Sequence, residues 1–182
     1  MKFTALDIPD VIVIEPRVFS DSRGYFFESY RKDLFIQHGI TESFVQDNNS
    51  FSALGVLRGL HYQIPPKAQA KLVRVLQGRI FDVVVDIRRN SPTFGRHVAV
   101  TLSSSEKKMI FVPIGFAHGF LALEEGTEVL YKVSQEYSPE HERGILWSDA
   151  TLGILWPKLQ VPISLSPKDR HYPVLHDAFL FA

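Results

Sequence analysis

The sequence predicts an all-β barrel or sandwich, and three observations carry that prediction. Short apolar runs recur between Gly, Pro, Ser and Asn positions at roughly 8–12-residue intervals, the rhythm of an antiparallel β protein. Leu76-Gln77-Gly78-Arg79-Ile80 sets a glycine-containing turn between two β-branched runs, as a tight hairpin requires. Only residues 32–38 read as a helix, and Gly39 stops it. At 182 residues the chain is long enough for one well-buried core and short for two, so residues 1–182 are expected to form a single domain.

Taken in order, strands are expected at 11–19, which holds the apolar run Val11 to Ile14, and at the aromatic stretch 25–30. The glycine-punctuated run 56–63 follows, then the hairpin pair 71–77 and 79–87. Ser91-Pro92-Thr93-Phe94-Gly95 turns the chain into 96–102, and Pro113-Ile114-Gly115 separates 108–112 from 119–123. The last strand is 127–135. From about Ser138 the chain turns rich in Pro and Trp with weak periodicity, which reads as an irregular tail wrapped over the barrel. No fixed-period repeat or low-complexity tract interrupts this pattern.

Bulk chemistry narrows the function. Twenty basic and twenty acidic residues balance, so nothing draws the chain onto nucleic acid or an anionic membrane, and an anionic ligand needs a local cluster. Without cysteine there is no disulfide framework, thiolate zinc site or cysteine nucleophile. The apolar run at Val11 to Ile14 is hemmed by Asp10 and Glu15 and is too short for a signal core or a membrane span, so a cytoplasmic protein is expected. Zero net charge and 14 Phe are compatible with self-association.

Barrels of this kind take ligands at the mouth, through side chains that point inward at alternate strand positions. Val129, Tyr131 and Val133 share one face of their strand, and Lys71, Val73 and Val75 share one face of theirs. On periodicity alone Tyr131 also fits a core tyrosine with one hydrogen bond, and Lys71 a strand-end lysine in solvent. In Arg58-Gly59-Leu60-His61 the arginine and histidine have opposite parity, so both face inward only if Gly59 introduces a bulge.

Pro113-Ile114-Gly115-Phe116-Ala117-His118 matches the P-x-G-x-x-H signature of cupins, the double-stranded β-helix or jelly-roll fold. Metal-binding cupins pair it with H-x-H and a Glu. Here that stretch reads His61-Tyr62-Gln63, with no Glu between Gln63 and Glu106, so a three-ligand metal site is not expected, and no cofactor is. The segments DSRGYFFESY, VQDNNS, RGLHYQ, KLVRVLQGRIFDVVVDIR, SPTFG, PIGFAHGFLAL, LYK, ERGILWSD and LSPKDRHYP, in this order and spacing, resemble the dTDP-4-dehydrorhamnose 3,5-epimerase family over nearly the whole chain.

The resemblance implies a substrate, dTDP-4-dehydro-6-deoxy-D-glucose, whose C3 and C5 protons are both α to the C4 ketone. Its product would be dTDP-4-dehydro-L-rhamnose. Such chemistry needs a base on one face of the sugar, a donor on the other and a charged or hydrogen-bonding group at the C4 oxygen. By the match, His61 is the base and Asp169 its carboxylate, Tyr131 is the donor, and Lys71 with His118 stabilises the enolate. Without the resemblance Asp169 reads as an ordinary turn acid. Asp82 is expected either to hold Lys71 by a salt bridge or to lie at the barrel end in solvent. The match assigns further ligand contacts to Arg23, Glu28, Gln46, Asp47, Asn48, Arg58, Glu142 and Lys168, arginine being suited to a diphosphate. Phe26 and Tyr137 are candidates to stack on thymine, with core packing the alternative for each. In the family the segment from Arg23 to Glu28 reaches the neighbouring subunit's site, which implies a homodimer. Alternatives are a relative inverting only C3 or only C5, a non-catalytic sugar-nucleotide-binding cupin, and a metal-dependent cupin.

Overall fold

All 182 residues are described by a computed structural model. Thirteen strands and one short helix follow one another as β1 (Lys2–Ala5), β2 (Ile12–Glu15), β3 (Phe19–Asp21), β4 (Gly24–Phe26), α1 (Lys32–Gln37), β5 (Gln46–Ser52), β6 (Leu57–Gln63), β7 (Lys71–Gln77), β8 (Arg79–Asp86), β9 (His97–Ser103), β10 (Met109–Val112), β11 (Phe116–Ala122), β12 (Thr127–Val133) and β13 (Glu142–Gly144). Two antiparallel sheets result, with orders β1-β2-β10-β7-β12-β5 and β13-β6-β11-β8-β9, and β3 pairs only with β4. This is the expected all-β, cupin-like architecture.

Apolar side chains fill three places. Between the sheets lie Val73, Val75, Ile80, Val84, Phe116, Phe120 and Val129. Leu60, Tyr62, Val83, Val85 and Ile87 pack instead with Ile145, Leu152 and Ala178 of the C-terminal segment. Ile14, Leu72, Met109 and Phe111 pack with Phe35 of α1 and Ile40. Each sheet thus buries both faces in part, which is why β8 carries the unbroken run Val83-Val84-Val85 rather than clean alternation. Burying a side chain of this size contributes about 1.5–3 kcal/mol.

The β7–β8 turn forms as read, with Gly78 at φ +77° in the left-handed region. Other boundaries moved. The expected strand 11–19 divides into β2 and β3 around Pro16, 25–30 shortens to β4, and β11 starts earlier than 119, at Phe116. β1, β5 and β13 were not expected; β5 reads QDNNSFS and shows no apolar alternation. The tail is irregular apart from β13 and two 3-10 turns, Lys168–Arg170 and Leu175–Asp177. It is tied down by the Tyr62 hydroxyl donating to the Phe179 carbonyl at 2.7 Å.

Candidate active site

A cavity of about 380 Å³ opens into the barrel. Gln46, Asn48 and Ser50 of β5, Arg58, His61 and Gln63 of β6, Lys71 of β7, His118 and Phe120 of β11 and Tyr131 of β12 line it. Tyr137, Glu142, Ser166, Lys168 and Asp169 of the C-terminal segment close its rim. Its only hydrophobic surfaces are Phe120 and the rings of Tyr62, Tyr131 and Tyr137, so the lining suits a polar, hydrogen-bonding ligand.

The parity conflict between Arg58 and His61 is resolved by a bulge at Gly59. His61 pairs with His118 while Arg58 pairs with Phe120, so β6 spends one residue more than β11 across this stretch. Gly59 has φ +148°, and a Cβ there would lie 2.5 Å from the Gly119 Cα. Only two glycines allow the backbones to approach so closely, and both side chains reach the cavity as a result.

His61 Nε2 lies 2.5 Å from Asp169 Oδ1, and Nδ1 makes no hydrogen bond within the chain. Asp169 is buried at the first turn after Ser166, whose hydroxyl accepts from its backbone N–H at 3.2 Å. Desolvation lowers the His61 pKa below 6.5 and outweighs the support of Asp169, with Lys71 and Lys168 acting in the same direction as burial. The imidazole is therefore neutral near pH 7, its Nε2–H donated to the carboxylate and Nδ1 free to accept a proton.

Tyr131 enters from the opposite sheet, and burial raises its pKa, so the phenol keeps its proton. Lys71 sits one inward position away, since Tyr131 pairs with Val73 and Val133 with Lys71. Its ammonium donates to the His61 carbonyl at 3.3 Å, and burial lowers its pKa to about 8. Asp82 is fully buried and bonds His118 Nε2 at 2.9 Å, which corrects both expectations for it: it is neither a surface acid nor the hydrogen-bonded partner of Lys71. His118 is thereby held by a carboxylate of its own.

At the rim Lys168 donates to Glu142 at 2.7 and 2.8 Å, and the Tyr137 hydroxyl donates to the same carboxylate at 3.1 Å. Gln46 accepts from the Tyr137 backbone N–H and donates to Asn48. Arg58 donates to the Ser52 hydroxyl and the Phe51 carbonyl, which fixes its guanidinium at the end of β5.

Four expected contacts lie elsewhere. Asp47 alternates to the outer face of β5 and pairs with Lys132 at 2.7 Å, because Gln46 and Asn48 take the inward positions. Arg23, Phe26 and Glu28 lie on or beside the exposed β3–β4 arm and do not line this chain's cavity; Arg23 pairs with Asp21 and Glu28 with Arg31. Ser50, Tyr62, Gln63, Gln69, Phe120 and Ser166 were missed. Alternation from Gln46 through Asn48 reaches Ser50, a signal available in the sequence once 46–52 is read as a strand.

A neutral imidazole on a carboxylate from one sheet, a neutral phenol from the other and a lysine beside it can move a proton off and onto carbon. The sequence model of the dTDP-4-dehydrorhamnose 3,5-epimerase family matches residues 5–177. The chain belongs to this family. Membership makes it an epimerase acting on a carbohydrate. It is 55% identical to the dTDP-4-dehydrorhamnose 3,5-epimerase of Pseudomonas aeruginosa over all of this chain and 99% of that one. Among solved structures, the dTDP-6-deoxy-D-glucose-3,5-epimerase of Legionella pneumophila, in complex with dTDP-4-keto-L-rhamnose, superposes with a TM-score of 0.93 at 45% identity, covering 97% and 93% of the two chains. A 3'-monoepimerase from Streptomyces bikiniensis in complex with dTDP-quinovose superposes with a TM-score of 0.88 at 35% identity, covering 94% and 87%. No group of three or more His, Cys, Asp or Glu side chains is placed to hold a metal ion. No helix is long and apolar enough to cross a membrane.

Proposed function

We propose that the chain epimerises dTDP-4-dehydro-6-deoxy-D-glucose at C3 and C5, giving dTDP-4-dehydro-L-rhamnose. The carrying observation is that His61 and Tyr131 enter one cavity from opposite sheets. His61 Nδ1 takes the proton α to the ketone, and the C–H pair moves into an enolate with its charge on the C4 oxygen. Lys71, with His118, stabilises that oxygen, where a positioned donor contributes about 3–4 kcal/mol. Tyr131 then delivers its phenolic proton to the carbon from the other side, inverting it. Solvent exchange resets the imidazolium and the phenolate before the second centre reacts.

Arg58, Lys168, Gln46, Asn48, Glu142 and Tyr137 hold the nucleotide in this reading, Tyr137 through its half-exposed ring. We further propose a metal-free, cytoplasmic homodimer of single-domain chains in which Arg23, Phe26 and Glu28 serve the partner's site. Support for the dimer is the separation of these three residues from their own cavity. Incubation in deuterated water with the 4-ketosugar nucleotide tests the reading: label is expected at both C3 and C5. Label at C3 alone would favour the single-centre reading, to which the likeness to a 3'-monoepimerase lends weight. Binding without any label would leave a non-catalytic cupin.

A further inference from the structure

Gly144 of β13 is the cross-strand partner of His61. A Cβ at Gly144 would lie 2.5–2.6 Å from three carbons of the Tyr172 ring, so the ring occupies the slot that the missing side chain leaves. It meets the His61 imidazole edge to face, with centroids 5.6 Å apart and planes at 67°. Tyr172 follows Asp169 by three residues, so one short segment supplies both the carboxylate and the ring. That segment is pinned to the chain just after β13 by the Leu146 N–H donating to the Pro173 carbonyl at 2.8 Å. Tyr172 does not line the cavity.

We propose that Tyr172 is a positioning residue: seated against Gly144, its ring holds the His61 imidazole on Asp169, keeps water from the back of that pair and leaves Nδ1 facing the cavity. This rests on His61 being the base. An imidazole tethered at Nε2 alone can swing about that bond, and a small misplacement of a reacting atom costs about 100-fold in rate. An aromatic wall on the side away from the cavity removes that freedom. The ring also completes the desolvation of His61, whose other charged and titratable surroundings are Asp169 and Lys168 from the 3-10 turn, Lys71 from β7, His118 from β11, Tyr131 from β12 and Glu142 from β13.

The test is nitrogen-15 NMR of the histidine side chains in the free enzyme, with His61 assigned by His61→Asn, in wild type, Tyr172→Phe and Tyr172→Leu. Wild type and Tyr172→Phe are expected to show one tautomer, protonated at Nε2, with the same titration midpoint. Tyr172→Leu is expected to mix tautomers and to raise the midpoint by about half a pH unit or more, because water reaches the pair. Its kcat is expected to fall about 10- to 100-fold with KM nearly unchanged, since the ring does not touch substrate. A wild-type tautomer and midpoint in Tyr172→Leu, or a raised KM with kcat intact, overturns the proposal. Should Tyr172→Leu fail to fold, Gly144→Ala displaces the same ring and must give the same mixed tautomers; an unchanged spectrum there overturns it equally. The NMR result does not depend on turnover, so a fully active His61→Asn would remove the base role while leaving the tautomer measurement to judge the ring.

Discussion

In the proposed mechanism His61 and Tyr131 differ in what their loss should leave behind, because only His61 begins the reaction. His61→Asn is expected to lower both solvent exchange and product formation by about 10²–10⁴-fold, measured by deuterium incorporation and product assay. Tyr131→Phe keeps the ring in place but deletes the donor. His61 then returns the proton to the face it left, so label should enter the sugar faster than configuration inverts, an excess absent from wild type. Equal epimerisation rates in Tyr131→Phe and wild type would refute the assignment. The pH profile follows from the same site. His61 must be neutral, and burial lowers its pKa below 6.5, so the acidic limb of kcat/KM is expected below that value. Lys71 must be charged, and its pKa of about 8 means that activity falls as pH rises through that region. Lys71→Met should abolish the basic limb and lower kcat by about 10²–10³-fold. A limb near pH 8 that survives this substitution would belong to another group.

The strands show how far sequence periodicity reaches. β7 and β12 were legible because valines recur at spacing two, which put Lys71 on the face of Val73 and Val75 and Tyr131 on the face of Val129 and Val133, whereas β8 was legible as a β-branched run after the Gly78 turn. β5 was illegible for a physical reason: its inward face borders a polar cavity, so Gln46, Asn48 and Ser50 stand where apolar residues would mark a strand. Asp47 was assigned by the resemblance, and its outward parity, paired with Lys132, shows only once 46–52 is known to be a strand. Asp169 carried no signal of its own, because its partner is 108 residues away and only the fold joins them. The bulge in β6 was legible as a conflict, two polar residues of opposite parity flanking Gly59, and the close approach of Gly119 completes it. Gly59→Ala must adopt φ +148° and push on the Gly119 backbone, costing about 3 kcal/mol or more. Its unfolding midpoint is expected to fall by roughly 6–12 °C, with activity lost as Arg58 and His61 leave register. A thermal melt matching wild type would show that the bulge tolerates a side chain.

For the molecule as a whole, the β3–β4 arm belongs to neither sheet and exposes Phe19 at 50%, Tyr25 at 59% and Phe26 at 67% of their surfaces. Three such rings on one hairpin are costly to leave in water, and a second copy of the chain would cover them. If that copy's cavity receives Arg23, each active site is built from two chains, and the consequence can be measured by mixing two inactive variants. Arg23→Ala retains His61 but cannot serve its partner, whereas His61→Asn lacks the base but offers an intact arm. In a mixed dimer the cavity of the Arg23→Ala chain holds its own His61 and the partner subunit's Arg23, a complete site. Random reassortment makes roughly half of the dimers mixed, each with one complete site, so about a quarter of wild-type activity should return when the variants are unfolded and refolded together. An arm serving its own chain gives no such recovery, because one site then lacks the arginine and the other lacks the base. Refolding each variant alone sets the baseline, and a mixture no more active than that baseline would rule out the shared site.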